Sequence, residues 1–149
     1  MRPLVIVPTY NERENIPVVL DRLLALDGIR VLVVDDGSPD GTADVAQRIA
    51  AQHRSRVQVL RRTGARGLGR SYIDGILFAL RSDATHVCQM DADLSHNPDD
   101  VPRLLAATAS ADVAIGSRYV PGGAIQNWPL RRDRKSTRLN SSHVKRSRM

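Results

Sequence analysis

Short apolar runs rich in β-branched residues recur along the chain at positions 4–7, 31–34, 57–60, 86–90 and 113–115. They are continuous rather than alternating and too short for buried helices, which predicts strands covered on both faces. Between them the apolar positions recur at i, i+3 and i+4 instead. The sets are Ile16, Val19, Leu20, Leu23 and Leu24; Val45, Ala46, Ile49 and Ala50; Tyr72, Ile73, Ile76, Leu77 and Leu80; and Val101, Leu104, Leu105 and Thr108. Each set predicts an amphipathic helix with one buried stripe. Asp40 or Thr42 can cap the second helix, and Asn97 followed by Pro98 opens the fourth. Strict alternation of strand and helix predicts an α/β fold, a doubly wound and mostly parallel sheet with helices on both faces.

Ligands of such sheets bind beyond the carboxyl ends of the strands. The segments there are polar: PTYNE after the first run, DDGSPDGT after the second, DADLSH after the fourth and GSRYVPGG after the fifth. Asp91 and Asp93, one residue apart at a strand end, point to the same side in extended backbone. With no His or Cys cluster beside them they suit a hard divalent ion, Mg²⁺ or Mn²⁺; otherwise they form an Asp-rich turn that only caps the next helix. Asp35 and Asp36 have the chemistry to accept from base N–H groups and sugar hydroxyls. Tyr10 either packs on a base or fills a loop. The glycine-rich stretch 64–69 is either a plain loop or one whose Arg62 and Arg66 lie over a diphosphate. A P-loop is excluded, because GxxxxGK[ST] is absent. His86 and Cys88 alternate within a strand and read as structural, and Ser38 and Ser117 lack a histidine base for nucleophilic catalysis.

Composition narrows the class. A chain of 149 residues with one cysteine is sized for one domain and holds no disulfide framework, and 42% hydrophobic with 26% charged residues excludes general disorder. No apolar run approaches the roughly 20 residues of a spanning helix. The opening MRPLVIVPTYNE lacks a signal-peptide layout, so a soluble, cytoplasmic protein is expected. The net charge of +6 suggests nucleic acid until it is located: residues 133–149 hold six of the 22 basic and one of the 16 acidic residues, which leaves +1 for residues 1–132. No nucleic-acid partner is expected. Both lysines, Lys135 and Lys145, fall in that tail, and DRKSTRLNSSH resembles a translated sequencing adapter. Residues 1–132 are therefore expected to carry the fold of a truncated protein, with 133–149 a non-native tail; a natural disordered basic tail is the alternative.

Six segments, VIVPTYNERENI, VVDDGSPDGT, GLGRSYIDG, MDADLSHNP, GSRYVPGG and NWPLRR, follow one another in order across residues 4–132. Together they resemble the inverting glycosyltransferases of family 2 with the GT-A fold, and within that family the polyprenyl-phosphate (dolichyl-phosphate) mannose synthase group. The resemblance implies transfer of mannose from GDP-mannose to a polyprenyl phosphate, Mg²⁺ or Mn²⁺ as cofactor, and peripheral contact with the cytoplasmic face of a membrane. It implies that Pro8, Tyr10 and Glu12, with Val34, Asp35 and Asp36, hold the nucleotide. Asp91, Ala92 and Asp93 would hold the diphosphate, with the metal on one or both of Asp91 and Asp93. The catalytic group would be Asp93 with the phosphate-facing Arg118 and Arg132. Ser95 stands where other members can carry Gln. Members continue into further strands and acceptor-facing elements, so residues 1–132 would be a nucleotide-sugar-binding part that transfers little by itself. A phosphate monoester, with a second pKa of about 6, is already a nucleophilic dianion at pH 7 and needs no strong base. Another donor, a hydroxyl acceptor, or an inactive nucleotide-binding fragment remain as alternatives.

Overall fold

Strand and helix alternate as the hydrophobic pattern predicts: β1 (Pro3–Thr9), α1 (Asn15–Leu24), β2 (Arg30–Asp35), α2 (Thr42–Gln52), β3 (Val57–Arg61), α3 (Leu68–Leu80) and β4 (His86–Gln89). A 3₁₀ turn, Pro98–Asp100, then leads into α4 (Val101–Ala107). The computed structural model describes residues 1–117; Arg118, Arg132 and the expected boundary after residue 132 lie outside the described residues. Residues 1–114 form one unit, and of the second only 115–117 are described.

The strands pair in the order β3-β2-β1-β4 and are parallel throughout. Strand periodicity sorts the core onto two faces. Val5 and Val7 of β1 join Val31, Val33 and Val57 against Ile16, Val19, Leu20 and Leu23 of α1, Ala46 and Ala50 of α2, and Val101 of α4. Leu4 and Ile6 join Leu32 and Val34 against Ala79 of α3. This is the doubly wound α/β arrangement.

Two expectations need correction. Residues 113–115 form no strand, and Val113 and Ile115 are exposed. A three-residue run offers too few ladder bonds to order itself without a paired neighbour. Of the expected α3 stripe, only Tyr72 packs against the core, while Ile73, Ile76, Leu77 and Leu80 are exposed; the buried face is Ser71, Gly75 and Ala79, with Tyr72 and Phe78 partly buried. Small residues at i, i+4 and i+8 let the helix backbone approach the sheet closely. A Cβ on Gly75 would stand 2.6 Å from Ile6 Cγ2. Hydrophobicity chose the wrong face because the contact is made by size.

Of the two expected helix starts, the one at Asn97 and Pro98 forms, whereas the cap of α2 is Gly41, with no side-chain cap hydrogen bond, and Asp40 makes a turn just ahead of it instead. The Asp40 carboxylate accepts the Thr42 N–H at 2.9 Å and the Thr42 hydroxyl at 2.6 Å, and that hydroxyl holds the Asp40 carboxyl below its ordinary range. Asn97 accepts the Asp99 N–H at 3.2 Å with Pro98 in the first turn. Arginine also serves the fold. Arg56 donates to the carbonyls of Leu24, Leu26 and Ile29, fastening the turn from α1 into β2. His86 and Cys88 sit half-buried in β4, and burial pushes the Cys88 thiol up, away from thiolate chemistry.

Candidate active site

The loops after β1 and β2 are stitched to each other before any ligand is considered. Asp36 N–H donates to the Thr9 carbonyl at 2.9 Å, Asn11 N–H to Ser38 Oγ at 3.0 Å, Glu12 N–H to Thr42 Oγ1 at 2.9 Å and Arg13 N–H to Asp40 Oδ2 at 3.1 Å. Asn11 takes the left-handed conformation (φ 58°) that lets the first loop reverse. The backbone carbonyl of Glu12 then receives the first N–H groups of α1. Side chains on such a framework are held without help from a ligand.

A cleft of about 260 Å³ opens over these loops, lined by Pro8, Thr9, Tyr10, Glu12, Asp36, Leu68, Ser71, Asp91, Ala92 and Asp93. It thus gathers Pro8, Tyr10, Glu12, Asp36, Asp91, Ala92 and Asp93 from the sequence expectation. It does not gather Val34 or Asp35. Val34 is fully buried in the core under α3. Asp35 spends its carboxylate on Thr9 Oγ1 at 3.1 Å and on the Ser38 N–H and hydroxyl at 3.0 and 2.6 Å. Both therefore stand behind the cleft. Tyr10 carries the Arg66 guanidinium 4.9 Å from its ring centroid, with a hydrogen bond from Arg66 to the phenol oxygen.

Asp91 and Asp93 are each held by neighbours. The Tyr72 hydroxyl donates to Asp91 Oδ1 at 2.7 Å. Burial, with Asp91 beside it, pushes the Tyr72 phenol far up, so it stays a donor throughout the neutral range. Asp91 N–H donates to His96 Nδ1 at 3.1 Å, which gives His96 a loop-ordering contact. Asp93 Oδ1 accepts the Ser95 N–H at 3.0 Å and hydroxyl at 2.5 Å. Leu94 between them has φ 60°, a left-handed backbone that costs a non-glycine residue roughly 1–2 kcal/mol. Nothing in the sequence marks Leu94, which lies inside the turn that Asp93 and Ser95 close. Tyr72 was legible only as a core position.

Residues 4–149 match Glycosyl transferase family 2. The chain belongs to that family. Among its relatives, a polyprenol monophosphomannose synthase of Mycolicibacterium smegmatis is 52% identical over 133 residues, covering 88% of this chain and 50% of the relative. An undecaprenyl-phosphate mannosyltransferase of Micrococcus luteus is also 52% identical over 133 residues, covering 89% of this chain and 54% of the relative. The chain thus spans about half the length of these curated relatives. Among solved structures, the Pyrobaculum calidifontis mannosyltransferase PcManGT, in complex with GDP-Man and Mn²⁺, superimposes with a TM-score of 0.64 at 29% identity over 74% of this chain and 33% of that one. The family 2 chain has no helix, among its described residues, long and apolar enough to cross a membrane.

Proposed function

We propose that this chain is the donor-binding part of an inverting glycosyltransferase that moves mannose from GDP-mannose to a polyprenyl phosphate at the cytoplasmic face of a membrane. The observation that carries the reading is the convergence of Asp36, Asp91 and Asp93 on one cleft with Pro8, Tyr10 and Glu12, in a chain 52% identical to a polyprenol monophosphomannose synthase. Pro8, Tyr10, Glu12 and Asp36 face the nucleotide, while Val34 and Asp35 support their loop from behind. Asp91, Ala92 and Asp93 face the diphosphate.

The donor set fits Mg²⁺ or Mn²⁺. Asp91 and Asp93 offer hard oxygens to one cleft, and no third His, Cys, Asp or Glu clusters with them among the described residues. Asp91 and Asp93 would hold such an ion, as the one or two carboxylates of a Mg²⁺ site commonly do. When bound, it neutralises charge on the departing nucleoside diphosphate. The acceptor phosphate attacks as a dianion, which accords with a cleft lined by no histidine among the described residues, and in-line displacement inverts the anomeric carbon. Arg118 and Arg132 orient that phosphate in this reading. Residues 1–132 then carry the function, and 133–149 are a tail outside it.

Titration calorimetry tests the reading. GDP-mannose is expected to bind saturably with Mn²⁺ present and at least tenfold more weakly in EDTA; no binding under either condition would sink the donor assignment. Tyr72→Phe removes one hydroxyl from beside Asp91. Since outer partners of metal ligands are worth about 10–100-fold in affinity, it should weaken Mn²⁺ binding about tenfold with little change in melting temperature. An unaltered Mn²⁺ isotherm would mean that Asp91 does not depend on Tyr72.

A further inference from the structure

Arg62 follows β3 and never reaches the cleft surface. Its side chain is only 8% exposed, and each of its three nitrogens donates to a protein oxygen. Nη1 pairs with Asp36 Oδ1, Nε donates to Asp74 Oδ2 of α3 at 2.6 Å, and Nη2 donates to the Ala65 carbonyl at 3.2 Å. The other oxygen of Asp36, Oδ2, accepts the Gly67 N–H at 2.7 Å. Gly67 has φ +154° and its carbonyl receives the Ser71 N–H of the first turn of α3. One guanidinium therefore joins the end of β2, the loop after β3 and the body of α3. Of the two readings of this loop, the one that lays Arg62 over a diphosphate is not what the structure shows, since its guanidinium pairs with two carboxylates. Asp36 lines the cleft, whereas Arg62 does not.

A carboxylate offers about four acceptor positions. Arg62 and Gly67 take one on each oxygen of Asp36, and what remains can receive an N–H or O–H from a ligand. The direction of those free positions is set by the planar fork behind them, and Asp74 keeps the fork from swinging. Lysine cannot reproduce this, because an ammonium is a point charge without the fixed geometry.

Building on the donor reading above, we infer that Arg62 is a positioning residue for nucleotide binding, which acts solely by holding the Asp36 carboxylate toward the cleft, with Asp74 as its anchor. The test is a double-mutant cycle read by calorimetry with GDP-mannose and Mn²⁺, beside a titration of Mn²⁺ alone and the melting temperature of each variant. Arg62→Gln and Asp36→Asn should each weaken GDP-mannose about tenfold, and the double variant should be no weaker than Asp36→Asn. Arg62→Lys should fall between wild type and Arg62→Gln. Asp74→Asn, whose side chain is 41% exposed, is the gentle variant should Arg62→Gln fold poorly, with an expected loss of about threefold. Mn²⁺ alone, at Asp91 and Asp93, should bind all of them equally. Additive losses near 100-fold, no loss from any Arg62 or Asp74 variant, or weakened Mn²⁺ binding in parallel with nucleotide binding would each overturn the inference while the wild type binds. A wild type that binds no GDP-mannose overturns the donor reading, and this inference with it.

Discussion

Gly75→Val is expected to destabilise the chain by about 3 kcal/mol and to lower its melting temperature by roughly 10 °C. Glycine inside a helix ordinarily costs about 1 kcal/mol relative to alanine, so filling such a position normally stabilises. Gly75 reverses the sign because a Cβ there stands 2.6 Å from Ile6 Cγ2, 3.2 Å from Ile6 Cδ1 and 3.4 Å from Val34 Cγ2. Ile6 and Val34 are wholly buried, on the central strand and its neighbour, and neither can retreat without moving the sheet. Overpacking of this kind costs about 1–3 kcal/mol and occasionally more, enough to outweigh the helical gain even for Gly75→Ala. Gly69, in the same helix, is the control: a Cβ there meets nothing within 4 Å, and Gly69→Ala should stabilise by up to about 1 kcal/mol. If thermal melts showed Gly75→Ala stabilising as much as Gly69→Ala, the close approach of α3 to β1 would be refuted.

Asp93→Asn should weaken Mn²⁺, and metal-dependent GDP-mannose binding, on the order of 100-fold, at the upper end of what even outer partners of a metal contribute. Asparagine keeps an acceptor for the Ser95 N–H and hydroxyl, so the loop retains its turn and loses a charge. Asp40→Asn provides the comparison. Asp40 also sits in a turn with hydroxyl and amide donors, yet it does not line the cleft. It should leave both affinities within about twofold of wild type. Small and equal effects of the two substitutions would reduce Asp93 to a partner of Ser95.

What was legible in the sequence follows a physical division. Continuous apolar runs and 3.6-residue stripes report burial, and burial is what separates strands 3–9, 30–35, 57–61 and 86–89 from the helices between them. The polar loops at strand ends were legible because a sheet of this kind leaves those positions free for ligands; seven of the expected residues share one cleft. Contacts made by size or by pairing over distance were not. Gly75 stood outside the predicted apolar stripe, yet it is where α3 comes so close to β1 that a Cβ would stand 2.6 Å from Ile6 Cγ2. Arg62, read as part of a plain loop or as lying over a diphosphate, is held between Asp36 and Asp74, 26 and 12 residues away. Asp35 and Asp36 are adjacent and chemically identical, yet one faces Thr9 and Ser38 while the other lines the cleft.

The position of β1 at the centre of the sheet governs the order in which the molecule can form. β1 leaves the ribosome ahead of the other three strands and can pair with β2 once residues near 30 follow, Leu4 against Arg30. Its other edge waits for β4, with Pro3 against His86. A pairing over 83 residues carries a larger loop-closure cost than the local hairpin-like contacts that speed folding. The cleft draws Pro8–Glu12 from one side of that pairing and Asp91–Asp93 from the other. The cleft therefore forms late, at the same closure that joins β4 to the sheet, and a nascent chain stopped before residue 86 would display Pro8, Tyr10, Glu12 and Asp36 without Asp91 and Asp93 opposite them.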